Sequence, residues 1–137
     1  LEMRGADGGP WARLCALPAL WAGLLYHQPS LDAAWDIGRD WSMEERLKLR
    51  TDVPRLGLKA VIRQRTVGDI ALEMIELARQ GLTARGRLNA AGDNESGFLS
   101  PLQQVAESGI TPAERKLNCY QGEWNGSVDP VFTECAY

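Results

Sequence analysis

The sequence predicts a mainly helical chain with a single β-strand at its start. Apolar residues recur at three- and four-residue steps along much of the chain, and capping residues, proline and glycine divide it into helix-sized segments. Only residues 1–4 have the pattern of a strand, as its final residues. A lone strand leaves its backbone groups without partners, so we expect further strands upstream and interpret the chain as a fragment of a larger α+β fold.

Length and composition limit the classes of function. The chain has 137 residues, of which 45% are hydrophobic, enough for one modest core. Its net charge is −3, with basic and acidic residues interspersed, so nucleic acid is not an expected partner. The apolar run over residues 11–26 is interrupted by Arg13 and is shorter than the ~20 residues of a membrane helix. It also lacks signal-peptide features, and we expect no membrane association and a cytoplasmic location.

The three cysteines, Cys15, Cys119 and Cys135, are widely spaced and odd in number. This arrangement is not typical of a disulfide-stapled secreted domain. It does not indicate a zinc site either, because no two cysteines stand in a CxxC pair and His27 has no cysteine near it in sequence.

The first helix is expected to follow a turn-rich loop over residues 5–10. It covers residues 11–26, with Pro18 producing a kink or a break and His27 as a polar cap. Ser30 is expected to cap a second, short helix that runs to about residue 41. These segments account for the most apolar part of the chain.

A capping box formed by Ser42 and Glu45 predicts a third helix, which should end before Pro54. Residues 53–65 are interpreted as an ordered connector. Thr66 then caps the longest helix, expected to reach about residue 88, with Gly81 weakening its last turns. One face of this helix is apolar and consists of Val67, Ile70, Ala71, Met74, Ala78 and Leu82.

The last third of the chain is expected to contain two further helices. After a polar loop over residues 91–97, a short helix begins at Ser100 and ends at Gly109. Thr111 and Glu114 form a capping box that starts the next helix, which should run to about residue 120. The remaining residues are expected to form turns and a final apolar helical turn.

Glu2 and Arg4 are the residues whose pattern indicates chemistry. On a strand they lie on the same face, because side chains alternate and Met3 between them points the other way. A carboxylate offers the hard oxygen that Mg²⁺ prefers, and a guanidinium matches phosphoryl oxygens. As a bare pattern, however, such a pair is more often a surface ion pair on a strand.

The start of the chain reads LEMRGADGGPW and continues RLCALPALWAGLLY, which resembles the corresponding stretch of plant and alphaproteobacterial glutamate–cysteine ligases. The resemblance continues through Thr111-Pro112-Ala113-Glu114 and ends with GEWNGSVDPVF. It extends over residues 1–137, with the middle helices more loosely matched. Two unusual segments rich in glycine and tryptophan make this resemblance specific.

The resemblance implies a glutamine-synthetase-like fold, in which residues 1–137 are the C-terminal part of a single catalytic domain whose N-terminal remainder lies upstream. It implies an ATP-dependent ligase that uses Mg²⁺ and joins the γ-carboxylate of L-glutamate to the amine of L-cysteine. The reaction passes through γ-glutamyl phosphate and is the first step of glutathione synthesis. The expected partners are therefore the small molecules glutamate, cysteine and ATP, and the fragment alone is expected to be inactive.

The resemblance also implies roles for individual residues. Glu2 would ligate Mg²⁺, and Arg4 would hold the phosphate that is transferred, as the catalytic and nucleotide-contacting residue. Asp7, Gly8 and Trp11 would contact substrate. Asp7 fits equally well as a turn-forming residue, and Trp11 as a core tryptophan at the start of a helix.

Some interpretations stay open at this point. Cys15 occupies a position where plant members have a cysteine that forms a redox-sensitive disulfide with an upstream residue, although a buried, inert thiol on an apolar helix fits it better. Two other functions compete with the leading one. The first is a ligase of the same fold that uses another amine, and the second is an independent helical interaction module without catalysis.

Overall fold

The computed structural model describes residues 8–136, and within this range the predicted mainly helical class is confirmed. The expected strand over residues 1–4 lies outside the described residues. The helices are α1 Trp11–Leu25, α2 Gln28–Gly38, α3 Met43–Leu56, α4 Val67–Arg85, α5 Ser100–Ser108, α6 Pro112–Gln121 and α7 Val131–Glu134. Two strands, β1 Val61–Ile62 and β2 Arg65–Thr66, and two short 3-10 helices, Gly57–Lys59 and Glu95–Leu99, connect them. In residues 8–136 no helix is both long enough and apolar enough to cross a membrane.

The core forms where α1 packs along α4, with α2 and α5 against the same pair. Its central side chains are almost fully buried and close-packed, and they are Ala19, Leu24, Ile75, Ala78, Leu82, Leu99 and Ala106. The predicted apolar face of α4 is therefore confirmed for Ala78 and Leu82. Ile75 and Gly81, which the periodic pattern did not include, are also buried.

Local capping signals predicted the helix starts well. Three of the helices begin with a capping box, in which the cap side chain and the third helical side chain bond each other's backbone amides. The pairs are Ser42 with Glu45, Thr66 with Asp69, and Thr111 with Glu114. The helices α4 and α5 end at Gly86 and Gly109, which adopt the left-handed conformation with φ of 61° and 65°.

Neither of two prolines ends its helix, although the sequence predicted an end before Pro54 and offered a break as one of two effects of Pro18. The helix α1 continues through Pro18 without a break, and α3 runs past Pro54 to Leu56. A proline in a helix removes the bond to the carbonyl four residues earlier, which is Leu14 for Pro18. Leu14 and Pro18 are both exposed, so water can satisfy that carbonyl. Pro54 lies in the exposed last turn of α3, where the loss costs little.

Ser30 does not cap a helix, so this prediction is wrong. It lies inside α2, which begins two residues earlier, and only 1% of its surface is exposed. Its hydroxyl donates to the carbonyl oxygen of Leu77 on α4 at 2.7 Å, and its Oγ lies 2.8 Å from His27 Nδ1. The C-terminal end of α1 is capped by the backbone N–H of Tyr26, which donates to the carbonyl oxygen of Ala22, rather than by the His27 side chain. Ser30 therefore joins α2 to the core helix α4.

The connector over residues 53–65 contains a feature that the sequence did not predict. Strands β1 and β2 form an antiparallel hairpin whose two turn residues, Arg63 and Gln64, have φ of 46° and 68°. The Arg63 guanidinium donates to both carboxylate oxygens of Glu45, at 2.6 and 2.8 Å. These two hydrogen bonds link the hairpin to the start of α3. They explain how residues other than glycine or asparagine are kept at positive φ in this turn.

Candidate functional site

Of the predicted site residues, Glu2, Arg4 and Asp7 lie outside the described residues, and Gly8 and Trp11 lie inside them. The described part of the site is thus the loop that leads into α1. Gly8 is exposed, and a Cβ atom added to it would meet no atom within 4 Å among the described residues. Gly9 is buried instead, with its Cβ position 3.7 Å from Cβ of Arg13. The close packing of this loop therefore occurs at Gly9.

Among residues 8–136, Trp11 is 78% exposed, so it is not part of the core that these residues form. The reason is its position around α1. The residues of α1 that pack on α4, such as Ala16, Ala19 and Gly23, occupy one face, and Trp11 lies on the opposite one. Within the described residues, Trp11 is therefore exposed beside the glycine-rich loop. Its two suggested roles, a substrate contact and a core tryptophan of the complete protein, both stay predictions.

The start of α1 has no side-chain cap. Pro10 occupies the cap position, and its carbonyl oxygen accepts hydrogen bonds from the backbone amides of Arg13 and Leu14. The first turn contains no acidic residue. The amides of Trp11 and Ala12 therefore have no partner within the helix. A helix end of this kind carries partial positive charge and favours anions such as phosphate. This is compatible with the phosphate chemistry predicted for the adjoining segment.

Within residues 8–136, no group of three or more histidine, cysteine, aspartate or glutamate side chains is arranged to hold a metal ion. The predicted metal ligand, Glu2, lies outside that range. Among the described carboxyl groups, three have a lowered pKa, and all three belong to capping boxes. Hydrogen bonds from Arg63 lower the pKa of Glu45 to about 2, and bonds from Thr66 and Thr111 lower the pKa of Asp69 and of Glu114. These shifts have structural causes.

A second place where polar side chains converge is a cavity of about 350 Å³ between α5, α6 and the C-terminal turn. We call it the tail cavity. Its lining residues are Arg13, Pro101, Gln104, Val105, Pro112, Arg115, Lys116, Cys119, Trp124, Glu134 and Cys135. They come from four separate segments of the chain, which is why no local pattern in the sequence indicated the cavity. Two of the three cysteines, Cys119 and Cys135, are among these lining residues.

The wall of the tail cavity is held together by Trp124. Its ring is buried at 8% exposure, and its indole Nε1 donates to the carboxylate of Glu134 at 3.1 Å. Its backbone amide donates to the carbonyl oxygen of Cys119 at 2.8 Å. These two bonds connect the end of α6 to α7, which explains why the thiols of Cys119 and Cys135 line one cavity. All three cysteines are free and half-buried.

Comparison with known proteins places the whole chain in one family. The profile of Glutamate-cysteine ligase family 2 (GCS2) matches residues 1–134. The chain is 53% identical over all 137 residues to glutamate–cysteine ligase A, chloroplastic, of Oryza sativa subsp. indica, 27% of whose length is matched. It is 50% identical over the same residues to the chloroplastic enzyme of Arabidopsis thaliana and 49% to that of Nicotiana tabacum, with 25% of each matched. The chain belongs to the glutamate–cysteine ligase family.

The chain spans about a quarter of the length of these relatives. Family membership confirms the resemblance and favours the ligase over the independent helical module. It also corrects one expectation, because the similar proteins are named as chloroplastic enzymes and the predicted cytoplasmic location is therefore wrong. The physical reason is that location depends on targeting segments, which the composition of a folded region does not reveal.

Proposed function

We propose that this chain is part of an ATP-dependent ligase that joins the γ-carboxylate of L-glutamate to the amine of L-cysteine. The observation that carries this proposal is the similarity to plant glutamate–cysteine ligases over every residue of the chain, including the segment that contains Glu2 and Arg4. Glutamate, cysteine and ATP are the small-molecule partners, and the product enters glutathione synthesis.

ATP is needed because a carboxylate resists attack by an amine. Phosphorylation gives γ-glutamyl phosphate, in which phosphate is a good leaving group, and the amine of cysteine then displaces it. The protein must stabilise negative charge on the phosphoryl group during transfer, which cations do best. We propose that Arg4 holds this group and that Glu2 is one ligand of Mg²⁺, which supplies further positive charge.

We further propose that residues 1–137 are the C-terminal part of a single glutamine-synthetase-like catalytic domain. The surface of α1 supports this. Opposite its core face, α1 presents the exposed residues Trp11, Leu14, Pro18 and Leu25 in one stripe. A helix that is apolar on both faces is typical of the interior of a larger protein. The relatives are about four times longer than this chain, so the remainder of the domain is the expected cover.

The test uses the complete protein that contains this chain. Glu2→Gln and Arg4→Ala are each expected to lower kcat for cysteine-dependent ADP formation by about 10²-fold or more, the usual effect of removing one charge-stabilising group from a transition state. Arg50→Ala is the matched control, because Arg50 is exposed on α3 and its substitution removes the same single positive charge. If Arg4→Ala is no slower than Arg50→Ala, the role of Arg4 is refuted.

Two further measurements define the substrate and the extent of the catalytic unit. The 137-residue chain alone should form no ADP above background, because Mg²⁺ needs more ligands than Glu2 can supply. Clear activity of the chain alone would contradict this.

The complete protein should prefer cysteine to 2-aminobutyrate, which has a methyl group in place of the thiol. Equal activity with both would favour a ligase that uses another amine.

A further inference from the structure

The lining of the tail cavity is positively charged, although the chain as a whole is negatively charged. The chain as a whole carries a net charge of −3, yet the cavity is lined by three cationic side chains, Arg13, Arg115 and Lys116, and by one carboxylate, Glu134. Arg115 and Lys116 form no ion pair with any residue of the described range 8–136. The Glu134 carboxylate accepts a hydrogen bond from the Trp124 indole and forms no ion pair with Arg115 or Lys116.

Lys116 is half-buried, and so is Arg13. Partial burial strengthens the interaction of these charges with each other and with any ion in the cavity, because the effective dielectric constant is lower than in water. The three cationic side chains outnumber the single carboxylate, so the lining has an excess of positive charge. An anion in the tail cavity would balance this excess and would accept hydrogen bonds from the guanidinium and ammonium groups.

The shape and remaining lining of the cavity suit a small organic molecule. Its volume of about 350 Å³ lies at the lower end of the range for small-ligand sites, which is roughly 300–1,000 Å³. Pro101, Val105 and the ring of Trp124 provide apolar walls, and Gln104 adds an amide that can donate or accept. A lining that combines cationic and apolar side chains fits an acidic group attached to a short carbon skeleton.

We propose that the tail cavity binds a small oxyanion, a carboxylate or phosphate compound, through Arg13, Arg115 and Lys116. The described lining contains neither Gly8 nor Trp11, and the proposal is tested by a measurement that does not require ligase activity. The ligand forms no covalent bond and undergoes no reaction there.

The test uses two thiols of the cavity as reporters. The protein is alkylated with iodoacetamide, a small neutral reagent, and the rate at each cysteine is followed by peptide mass spectrometry. Inorganic phosphate and glutarate, a five-carbon dicarboxylate, are the two probes, each at constant ionic strength set with sodium chloride. An occupied cavity should slow alkylation of Cys119 and Cys135 severalfold. The rate at Cys15, which does not line the cavity, should stay the same.

The two probes separate the two kinds of ligand. Protection by phosphate alone assigns a phosphorylated compound, protection by glutarate alone assigns a carboxylate, and protection by both assigns a general oxyanion site. No protection at Cys119 and Cys135 by either probe would overturn the proposal, and so would equal protection of Cys15. This measurement needs no variant, so its result does not depend on how a variant folds.

Charge variants test the same proposal independently. Lys116→Gln and Arg115→Gln should each raise the probe concentration for half-protection about tenfold or more, because each removes a hydrogen bond to a charged group. Arg50→Gln is the control, since it removes one positive charge from an exposed position on α3. An equal effect of all three variants would show only a general charge effect and would refute a specific site.

Discussion

Gly81 of α4 lies against the backbone of Gly23 on α1, so close that a Cβ atom built on Gly81 would stand 1.8 Å from the Gly23 carbonyl oxygen. The reverse holds as well, because a Cβ atom on Gly23 would lie 2.2 Å from the carbonyl oxygen of Ala78. Real Cβ atoms do not approach a backbone oxygen this closely. The two main helices of the core therefore cross in direct backbone contact, which only glycine permits.

Replacing Gly81 by alanine should destabilise the protein by about 3 kcal/mol or more, since the helices must move apart and the core loses its close packing. Alanine's higher helix propensity offsets only about 1 kcal/mol of this. Denaturant unfolding measures the difference. Gly97→Ala is the control, because Gly97 has open space around its Cβ position. Equal stability of the two variants would refute the close crossing.

Removing the Ser30 hydroxyl should also destabilise the protein. Ser30→Ala deletes the bond to the Leu77 carbonyl oxygen that joins α2 to α4. Loss of a buried hydrogen bond costs about 1–2 kcal/mol. Thr83→Ala serves for comparison, because Thr83 is an exposed hydroxyl residue on α4 and should change stability by less than about 0.5 kcal/mol. A Ser30→Ala protein as stable as the original would show that the bond contributes nothing.

The Glu45–Arg63 pair predicts a stability that falls in acid. The pKa of Glu45 is lowered from 4.5 to about 2, chiefly by hydrogen bonds from Arg63. A carboxyl group whose pKa is lower in the folded state stabilises it fully above the unfolded value. That contribution is therefore lost as the pH falls from 4.5 towards about 2.

Glu45→Gln should remove this part of the acid dependence, which unfolding midpoints measured at a series of pH values will reveal. The neighbouring Glu44 forms no bond to Arg63, so Glu44→Gln is a matched control that should leave the pH profile largely unchanged. A Glu45→Gln protein with the original slope between pH 4.5 and 2 would contradict the assignment.

Two tryptophans should respond differently to replacement by alanine. Trp124 is 8% exposed and Trp11 is 78% exposed. In the 137-residue chain, Trp124→Ala should cost about 3–5 kcal/mol of stability, and Trp11→Ala less than about 0.5 kcal/mol. In the complete protein, Trp11→Ala should raise KM for a substrate, because the family resemblance implies that Trp11 contacts it. Normal kinetics together with unchanged stability would remove Trp11 from the site.

The elements that the sequence predicted depend on contacts between residues close together in the chain. A capping box such as that of Thr111 and Glu114 is complete within four residues, so its pattern is sufficient to place a helix start. The same holds for Gly109, whose left-handed conformation ends α5. By contrast, the hairpin at Arg63 was not predicted, because it is held by Glu45, which lies 18 residues away.

The candidate site likewise has features that the sequence predicted and features that it did not. The chemistry proposed for Glu2 and Arg4 rests on their residue types and their spacing along an expected strand, and above all on a family resemblance that the comparisons confirm. Neither the exposure of Trp11 nor the tail cavity follows from local patterns. Exposure depends on which face of α1 packs against α4, and the cavity needs cationic side chains from both α1 and α6.

The sequence by itself determined the family, the helical class and most helix starts, because these depend on residue identity and on contacts within one or two helical turns. The tertiary structure decided that Ser30 is buried, that Pro18 and Pro54 are tolerated, and that Gly23 and Gly81 meet. The two prolines are tolerated because they lie at exposed positions, whereas the burial of Ser30 and the meeting of Gly23 with Gly81 depend on the approach of residues far apart in the chain. Such contacts are specified by the packing of whole helices, whose free energy is distributed over many residues and has no local signature.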